Sequence, residues 1–351
     1  MALPEGFPQM KVLLQTRFHP SIGGIETLAE ILANEWVGAG VEVVVSTDVS
    51  CPPGRRRSFS YPVYHAASWR ELFRLVRHAD IVAQMNVSLK TIWPVAFAKS
   101  RFIAIHNGCY FVSPDRRRDW RQRLKLALAR RASANIAVSN SVMRDIGIEC
   151  EVIPNAYNND IFTTPPNDVA RPRPLELVFV GRLVAGKGID TLLTALAFLS
   201  PALTPRLTII GDGPERHWLE KRAEVLGIAE QVRFTGACDQ TEVAELLRQH
   251  EILVVPSLWE EAFGIVALEG AGCGCLAVGA DTGGLPEAIG PAGLIFRGGD
   301  ARDLAAKLRM LLRDPDQADS IRNATPAHLA MHQPAVVAAR YLEIFRSVVK
   351  K

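Results

Sequence analysis

The chain repeats one pattern, in which a short run of apolar and β-branched residues is followed by a longer segment with helical periodicity. Six such runs occur in the first 156 residues, at 10–16, 41–48, 79–86, 101–108, 134–140 and 150–156. Segment 24–40, between the first two runs, has its apolar residues at helical spacing. Apolar strands that alternate with helices favour a parallel sheet that is covered on both faces.

A segment rich in Pro, Asn and Asp at 156–174 then interrupts the pattern. Five further apolar runs follow it, at 175–182, 206–212, 232–236, 251–257 and 275–281. The sequence therefore predicts an α/β protein with two Rossmann-like, parallel-sheet domains, at 1–160 and 175–332, which a linker at 161–174 joins. Because such sheets bind ligands beyond the carboxyl ends of their strands, we expect the two domains to face one interdomain cleft.

The residue composition narrows the class of protein. The chain has 351 residues, of which 48% are hydrophobic and 22% charged, as is typical of a globular domain. Its formal net charge of +3 is too small to indicate a nucleic-acid partner. The six cysteines show neither a disulfide framework nor zinc-ligand spacing. The N-terminal segment lacks the pattern of a signal peptide, and no window has the length of a membrane span, so we expect a cytoplasmic protein.

Candidate ligand-binding residues stand at the ends of the predicted strands. Gly23 and Gly24 precede the first helix, where paired glycines let the backbone approach a phosphate, although an ordinary tight turn explains them equally well. Arg182 ends the first strand of the second half, and Lys187 lies in the loop behind it. Two cations there suit a diphosphate, and the alternative is that they only face solvent. His106 follows a strand of the first half, where it is either a catalytic or a structural histidine.

Two glutamates, Glu261 and Glu269, frame the stretch "EEAFGIVALEG" at 260–270. In one continuous helix they would lie roughly 12 Å apart along the axis, too far to share a proton. A helix that begins at about Phe263 and Gly264 instead leaves Glu261 in the preceding loop and places Glu269 within the helix. The N-terminus of that helix would then favour an anion.

Read together, these segments resemble the retaining glycosyltransferases of family 4, whose two Rossmann-like domains form the GT-B fold. Eight motifs carry the resemblance in the order and spacing of the family: "HPSIGGIE", "IHNG", "IPNAYNNDIF", "VFVGRLVAGKG", "LTIIGDGPE", "VRFTG", "PSLWEEAFGIVALEGAGCG" and "DTGGLPEAIG". The resemblance also implies that the final helix, at 333–351, crosses back to the N-terminal domain.

The resemblance implies a role in glycan, glycolipid or polysaccharide synthesis. The donor would be a nucleoside-diphosphate sugar, a UDP-sugar or a GDP-sugar, bound mainly by the C-terminal domain. The acceptor would be a saccharide or a lipid-linked molecule on the N-terminal domain. No separate cofactor is implied, because the donor is a co-substrate.

The resemblance also implies a role for each candidate residue. Arg182 and Lys187 would bind the donor diphosphate, and Glu269 would bind the ribose hydroxyls. Gly23 and Gly24 would line the phosphates from the other domain.

The implied catalytic residues are His106, which would approach the sugar at the reaction centre, and Glu261. Glu261 would bind the transferred sugar and the distal phosphate with help from the backbone of Phe263, Gly264 and Ile265. Departure of the diphosphate builds negative charge on the phosphate, which fixed cations and a helix N-terminus stabilise. Since Arg182 and Lys187 can supply that positive charge, we infer that no divalent metal is needed. Retention of configuration rests on the resemblance alone.

A basic stretch at 113–133 raises the possibility of a membrane partner. It contains eight cations: Arg116, Arg117, Arg118, Arg121, Arg123, Lys125, Arg130 and Arg131. Such a helix could contact an anionic membrane or a phosphorylated acceptor, which would place the protein peripherally on the inner membrane face. A solvated helix face is the alternative.

Three other function classes compete with a transferase. A nucleotide-sugar 2-epimerase shares the two-domain fold and the donor, but the ordered motifs match transferases better. A non-catalytic nucleotide-sugar-binding protein would have no need of a reaction-centre histidine. A nicotinamide dehydrogenase would carry G-x-G-x-x-G after an opening strand, and neither half has it.

Overall fold

The structure is a computed structural model, which describes residues 10–20, 23–52, 54–55, 57–108, 119–164, 173, 175–199 and 202–350. The chain divides into two compact units. Unit 1 is formed by residues 1–156 and 333–351, and unit 2 by residues 157–332.

Unit 1 is built on a seven-stranded sheet. Its strands are β1 (Lys11–Gln15), β2 (Glu42–Thr47), β3 (Val63–His65), β4 (Ile81–Met85), β5 (Arg101–His106), β6 (Ala134–Ala137) and β7 (Glu151–Val152). They lie in the order β3-β2-β1-β4-β5-β6-β7, and every pair is parallel. Because parallel strands all end at the same edge, the loops that follow them gather there, and the strand order reverses between β1 and β4.

Helices cover both faces of this sheet. The first four are α1 (Gly24–Gly38), α2 (Trp69–His78), α3 (Trp120–Ala129) and α4 (Asn140–Ile146). Leu28, Leu32 and Trp36 of α1 pack with the side chains of Val12 and Leu14 on one face. Helices α2 and α3 pack on the opposite face. Helix α2 packs with the side chains of Leu13 and Val82, and α3 packs with those of Phe102 and Ala104.

Unit 2 repeats this architecture with six strands. They are β8 (Leu175–Val180), β9 (Leu207–Ile210), β10 (Val232–Gly236), β11 (His250–Val255), β12 (Leu276–Ala280) and β13 (Gly293–Phe296), in the order β10-β9-β8-β11-β12-β13. All five pairs are parallel. The helices are α5 (Ile189–Leu199), α6 (Arg216–Val225), α7 (Gln240–Leu247), α8 (Ile265–Gly272), α9 (Leu285–Ile289), α10 (Ala301–Arg313) and α11 (Pro315–Ala330). The strand order reverses between β8 and β11.

The last helix, α12 (Pro334–Val349), belongs to the core of unit 1. Its Tyr341 and Phe345 rings lie 5.9 and 5.0 Å from the Trp36 ring of α1, and all three side chains are fully buried. Aromatic rings tilted at such distances add to the burial of apolar area.

The prediction of two Rossmann-like parallel-sheet domains is confirmed, and all eleven predicted strands are present. Two strands were not predicted. β3 has only three residues, all half-buried, and β13 begins with a glycine, so neither has a strong apolar signal. Of the predicted linker, residues 165–172 and 174 lie outside the described part of the chain. Within the described residues, no helix is both long and apolar enough to cross a membrane.

Candidate active site

Three loops of unit 2 gather at the carboxyl edge of its sheet, beside the point where the strand order reverses. They follow β8 (residues 181–188), β11 (residues 256–264) and β12 (residues 281–284). In open parallel sheets this is the place where ligands bind, because the loops on either side diverge there.

The loop after β11 is hydrogen-bonded to the loop after β8. The backbone N–H groups of Leu258 and Trp259 both donate to the carbonyl of Gly186, at 2.9 and 3.2 Å. The Trp259 ring lies directly over Gly186, where a Cβ atom would be 1.7 Å from its nearest ring atom. Any side chain larger than hydrogen at position 186 would therefore displace the indole.

The loop after β12 binds the other side of the same segment. The Thr282 hydroxyl donates to the Ser257 carbonyl at 2.9 Å, and the Gly284 N–H donates to the Glu261 carbonyl at 2.7 Å. Gly283 has a φ of +59°, and a Cβ atom there would lie 2.2 Å from the Glu261 carbonyl oxygen. Both the left-handed backbone and the close approach require glycine.

These contacts bring Lys187 and Glu261 together. Lys187 Nζ donates to Glu261 Oε1 at 2.5 Å, and the Ser257 hydroxyl donates to the same oxygen at 2.7 Å. Both charged side chains are half-buried, which strengthens their attraction relative to a pair in open water. The pair leaves two N–H groups of Lys187 and the second oxygen of Glu261 for a ligand. Ser257 was not predicted, although it stands at a strand end like the other candidates.

Arg182 is exposed at the start of the loop after β8. No described residue forms a hydrogen bond or an ion pair with its guanidinium group. Since Glu261 partly neutralises Lys187, Arg182 is the candidate cation whose charge is fully available for an incoming phosphate.

Helix α8 begins at Ile265, with Gly264 as its N-cap, close to the predicted start. Gly264 has a φ of +102°, which favours glycine. The Phe263 side chain is buried and lies 5.6 Å from the ring of His332, so only its backbone is placed to meet a ligand. Glu261 therefore lies in the loop before the helix, as expected, and Glu269 lies within it.

Glu269 is half-buried on α8, and burial raises the pKa of its carboxyl group to about 7. No hydrogen-bond donor among the described residues reaches this carboxylate. Desolvation disfavours the charged form, and no cation compensates for it. The carboxyl group of Glu269 consequently keeps its proton to a higher pH than that of an exposed glutamate.

His106 ends β5 in unit 1, and its ring is fully buried. Its Nε2 atom lies 3.0 Å from Oδ1 of Asn135 on the neighbouring strand β6. Burial lowers the pKa of His106, and the hydrogen bond that its Nε2–H donates to Asn135 opposes this shift. The neutral imidazole is therefore favoured. The position of His106 at the end of a strand is as predicted, and its catalytic role stays a prediction.

Gly23 and Gly24 lie where the sequence places them, at the start of α1 after β1. Gly23 is the N-cap of α1 and Gly24 is its first residue. Gly23 has an extended backbone, and a Cβ atom there would lie 2.7 Å from a flexible carboxylate oxygen of Glu26. The N-terminus of this 15-residue helix leaves backbone N–H groups free of intrahelical partners.

The sequence contains one Asp-x-Asp triplet, at Asp314 and Asp316, whose two carboxylates are of the kind that could bind a divalent ion. Oδ1 of Asp314 accepts the N–H of Gln317 at 3.1 Å, so this carboxylate caps α11. Among the described residues, no group of three or more His, Cys, Asp or Glu side chains is placed to hold a metal ion.

Two family models match successive parts of the chain. The model of glycosyltransferase family 4 matches residues 22–160, and that of the glycosyl transferases group 1 matches residues 161–328. The chain belongs to glycosyltransferase family 4. The resemblance found in the motifs is thereby confirmed.

Two curated relatives are similar to this chain over part of their length. D-inositol 3-phosphate glycosyltransferase of Thermobispora bispora is 34% identical over 218 residues, which cover 57% of this chain and 51% of that protein. Glycogen synthase of Mycobacterium tuberculosis is 39% identical over 160 residues, which cover 44% of this chain and 38% of that protein. The chain spans about half or less of the length of these curated relatives.

Solved structures match over nearly the whole chain. HepE of Anabaena, solved in complex with UDP, has a TM-score of 0.80 at 19% identity, over 97% of this chain and 100% of that one. The same protein has also been solved with UDP-glucose, with a TM-score of 0.77. The likeness confirms the predicted GT-B fold.

The contact between Trp259 and Gly186 predicts a compensating pair of substitutions. Gly186→Ala should lower the free energy of unfolding by about 1–3 kcal/mol, because its methyl group collides with the indole. Trp259→Ala removes the obstacle, so Gly186→Ala should cost much less in that background. Urea unfolding of the four proteins of this cycle measures the coupling.

Gly38→Ala is the matched control, because no atom lies within 4 Å of a Cβ at that position. It should leave stability unchanged or slightly raised. If Gly186→Ala were equally harmful with and without Trp259, the packing of these two loops would not be as described.

The raised pKa of Glu269 predicts a dependence of stability on pH. Between about pH 4.5 and 7 the folded chain keeps a proton that the unfolded chain has released. The free energy of unfolding should therefore fall as the pH rises through this window and level off above about 7. Glu269→Gln should match the wild-type protein at the acidic end and exceed its stability at pH 8, as judged by urea midpoints.

The exposed Glu245→Gln substitution, on α7, serves as the control and should keep the wild-type pH dependence. Parallel pH profiles for the wild-type protein and Glu269→Gln would show that the carboxyl group is not held protonated by burial.

Proposed function

We propose that the protein is a retaining glycosyltransferase, which moves a sugar from a nucleoside-diphosphate sugar to a hydroxyl acceptor without a divalent metal. The observation that carries this proposal is the joining of three strand-end loops around Lys187 and Glu261. Family membership supports the reaction class, and the loop geometry supports the roles of individual residues.

The donor diphosphate would bind between Arg182 and Lys187. As the anomeric C–O bond breaks, negative charge grows on the departing phosphate. Arg182 can bind phosphate oxygens through two parallel N–H groups, and Lys187 acts as a point charge that Glu261 and the surrounding loops hold in place. Cations fixed before the reaction stabilise this charge without further reorganisation.

The sugar and the nucleoside would lie on either side of the diphosphate. The free oxygen of Glu261 would accept a hydrogen bond from a sugar hydroxyl, near the N–H groups at the start of α8. Glu269, one turn into the helix, would accept the ribose hydroxyls in its ionised form. Because hydrogen bonds to charged groups are worth about 1.5–3 kcal/mol, they offset part of the cost of the buried charge.

Transfer with retention would proceed on one face of the sugar. The acceptor oxygen forms its bond to the anomeric carbon on the side from which the diphosphate departs, and the acceptor proton passes to a phosphate oxygen. In this scheme His106 is proposed to contact the sugar, and Gly23 and Gly24 are proposed to contact the phosphates through their backbone. Neutral imidazole suits hydrogen bonding to hydroxyls.

The choice of substrates follows from the relatives. HepE has been solved with UDP and with UDP-glucose, so UDP-sugars come first among donors and GDP-sugars second. The two curated relatives are named for an inositol phosphate and for glycogen, which are both polyhydroxyl acceptors. A saccharide or a lipid-linked acceptor is consistent with these names. We also propose that residues 113–133 contact an anionic membrane. Of these residues, 119–133 lie in the described part of the chain.

The proposal predicts that Lys187→Ala weakens UDP binding by roughly tenfold to a hundredfold, through loss of a charge-assisted hydrogen bond. Binding of uridine, which has no phosphate, should be unaffected. Isothermal titration calorimetry with both ligands measures the difference. Lys221→Ala is the matched control, because Lys221 pairs with Glu224 on the exposed side of α6.

The reaction itself is followed by proton NMR of UDP-glucose, with and without maltooligosaccharide or inositol phosphate. A new α-glycosidic product in the presence of acceptor supports the proposal. A β-linked product would contradict retention. An epimerised donor formed without acceptor would show a 2-epimerase instead.

A further inference from the structure

One face of unit 1 carries a surface that the proposed donor site does not use. Helix α2, a 3-10 turn at Trp93–Phe97 and helix α3 all lie on this face. The turn packs against both helices through Val95. This side chain packs against the apolar cluster that contains Val76 of α2 and against the one that contains Ala129 of α3. The outer sides of α2 and the turn therefore adjoin one another, since the Phe73 and Trp93 rings are stacked across them.

This surface exposes large aromatic side chains. Trp69 is 63% exposed, Phe97 is 70% exposed and Trp93 is 38% exposed. The rings of Phe73 and Trp93 are stacked at 6.1 Å, and Trp93 and Phe97 meet edge to face at 6.4 Å. On α3, Trp120 is also largely exposed. Exposed aromatic groups that adjoin one another indicate an interaction site rather than a solvated helix.

Cations are interleaved with these rings. Arg70, Arg74 and Arg77 are all exposed on α2. The Arg70 guanidinium lies 5.1 Å from the Trp69 ring, and that of Arg77 lies 5.8 Å from the Phe73 ring. Contacts of this kind hold the cationic head beside the aromatic face.

The single acidic residue of α2, Glu71, interacts electrostatically with Arg74 but carries one charge against the three arginines of the helix. Glu71 closes a capping box, in which its carboxylate accepts the N–H and the hydroxyl of Ser68 at 2.9 and 2.6 Å. These hydrogen bonds lower the pKa of Glu71 and keep its charge at the N-terminus of the helix. Its place there is explained by the helix dipole and the unsatisfied N–H groups.

The opposite face of unit 1 has a different character. Helix α1 carries three glutamates, Glu26, Glu30 and Glu35, and no lysine or arginine. Helix α12 buries its aromatic side chains against α1. Among the described residues of α1 and α12, no aromatic side chain is exposed, unlike those of α2 and the turn.

We propose that this surface, here called the α2 face and defined by Trp69, Arg70, Phe73, Arg74, Arg77, Trp93 and Phe97, docks on an anionic lipid bilayer. Arginines attract anionic headgroups, while Trp and Phe rings bury their apolar parts at the headgroup boundary. The charge of the face identifies the lipid class, and its aromatic residues distinguish it from a merely basic helix.

The inference extends beyond the contact of residues 113–133, because the α2 face precedes that stretch in sequence and does not require it. Its aromatic and cationic groups adjoin one another on α2 and the turn alone. The vesicle experiments below contain neither donor nor acceptor, so their outcome is independent of the proposed transfer reaction.

The test is sedimentation of the full chain with vesicles of phosphatidylcholine alone or mixed with phosphatidylglycerol. Binding is expected only to the anionic vesicles and should weaken with added salt, because surface charges are screened. Replacing Arg70, Arg74 and Arg77 together by Gln should lower the partition coefficient by roughly a hundredfold, since each cation near an anionic surface contributes about 1 kcal/mol and about 1.4 kcal/mol corresponds to tenfold. The same three residues replaced by Lys should retain most of the binding.

The aromatic contribution is tested separately. Trp69→Ser combined with Phe97→Ser should reduce partitioning by roughly tenfold through loss of buried apolar area. The matched control combines Trp218→Ser with Phe198→Ser, which removes two exposed aromatic side chains of unit 2 and should leave binding unchanged.

Quenching by brominated lipid reports the orientation. Trp69→Phe with Trp93→Phe should keep binding but lose part of the quenching of tryptophan fluorescence, whereas Trp218→Phe should not alter the quenching.

Three results would overturn the proposal. The first is equal partitioning to neutral and anionic vesicles at low salt. The second is full binding by the Arg-to-Gln variant while Trp120→Ser on α3 abolishes it. The third is binding to polyuridylic acid with no binding to anionic vesicles.

Discussion

Every strand pair in both units is parallel, and this constraint determines where ligands can bind. A parallel strand cannot return through a tight hairpin, so each strand needs a crossing segment and all strands end at one edge. The loops at that edge are not required to follow the apolar sequence pattern of the strands. In unit 2, the three loops beside the reversal of strand order are therefore free to carry polar side chains.

Backbone contacts, more than side chains, bring those loops together. The carbonyls of Gly186, Ser257 and Glu261 each accept a hydrogen bond from a neighbouring loop. Such close approach requires glycine at position 186 under the indole of Trp259 and at position 283 against the Glu261 backbone. The result is that Lys187 and Glu261 share a fixed contact, which holds a cation and an acceptor oxygen ready for a charged ligand.

The sequence predicts the strands well because a strand buried on both faces is a continuous apolar run. It also predicts which residues follow strand ends, namely Arg182, Lys187 and Glu261, and it places Glu269 in the helix behind one of these loops. It does not predict their mutual contacts. The pairing of Lys187 with Glu261 joins residues 74 positions apart and depends on loop conformations that no local pattern encodes.

Burial is the other property that sequence patterns do not capture. His106 stands at a strand end, as predicted, but its ring turns into the sheet and binds Asn135. The α2 face was likewise missed, because a helix with alternating Arg and aromatic residues has the same pattern whether its outer side meets solvent or a partner. Only the packing of Val76 and its neighbours fixes which side of α2 is outside.

We propose that the loops after β8, β11 and β12 of unit 2 bind the nucleoside diphosphate. Hydrogen exchange of the backbone amides, followed by mass spectrometry with and without UDP, tests it most directly. The account predicts that UDP slows exchange in residues 181–188, 256–265 and 281–285, and that exchange elsewhere in unit 2, including the exposed helix α6, is unchanged. Protection that is confined to other segments, with none in these three loops, would contradict the account.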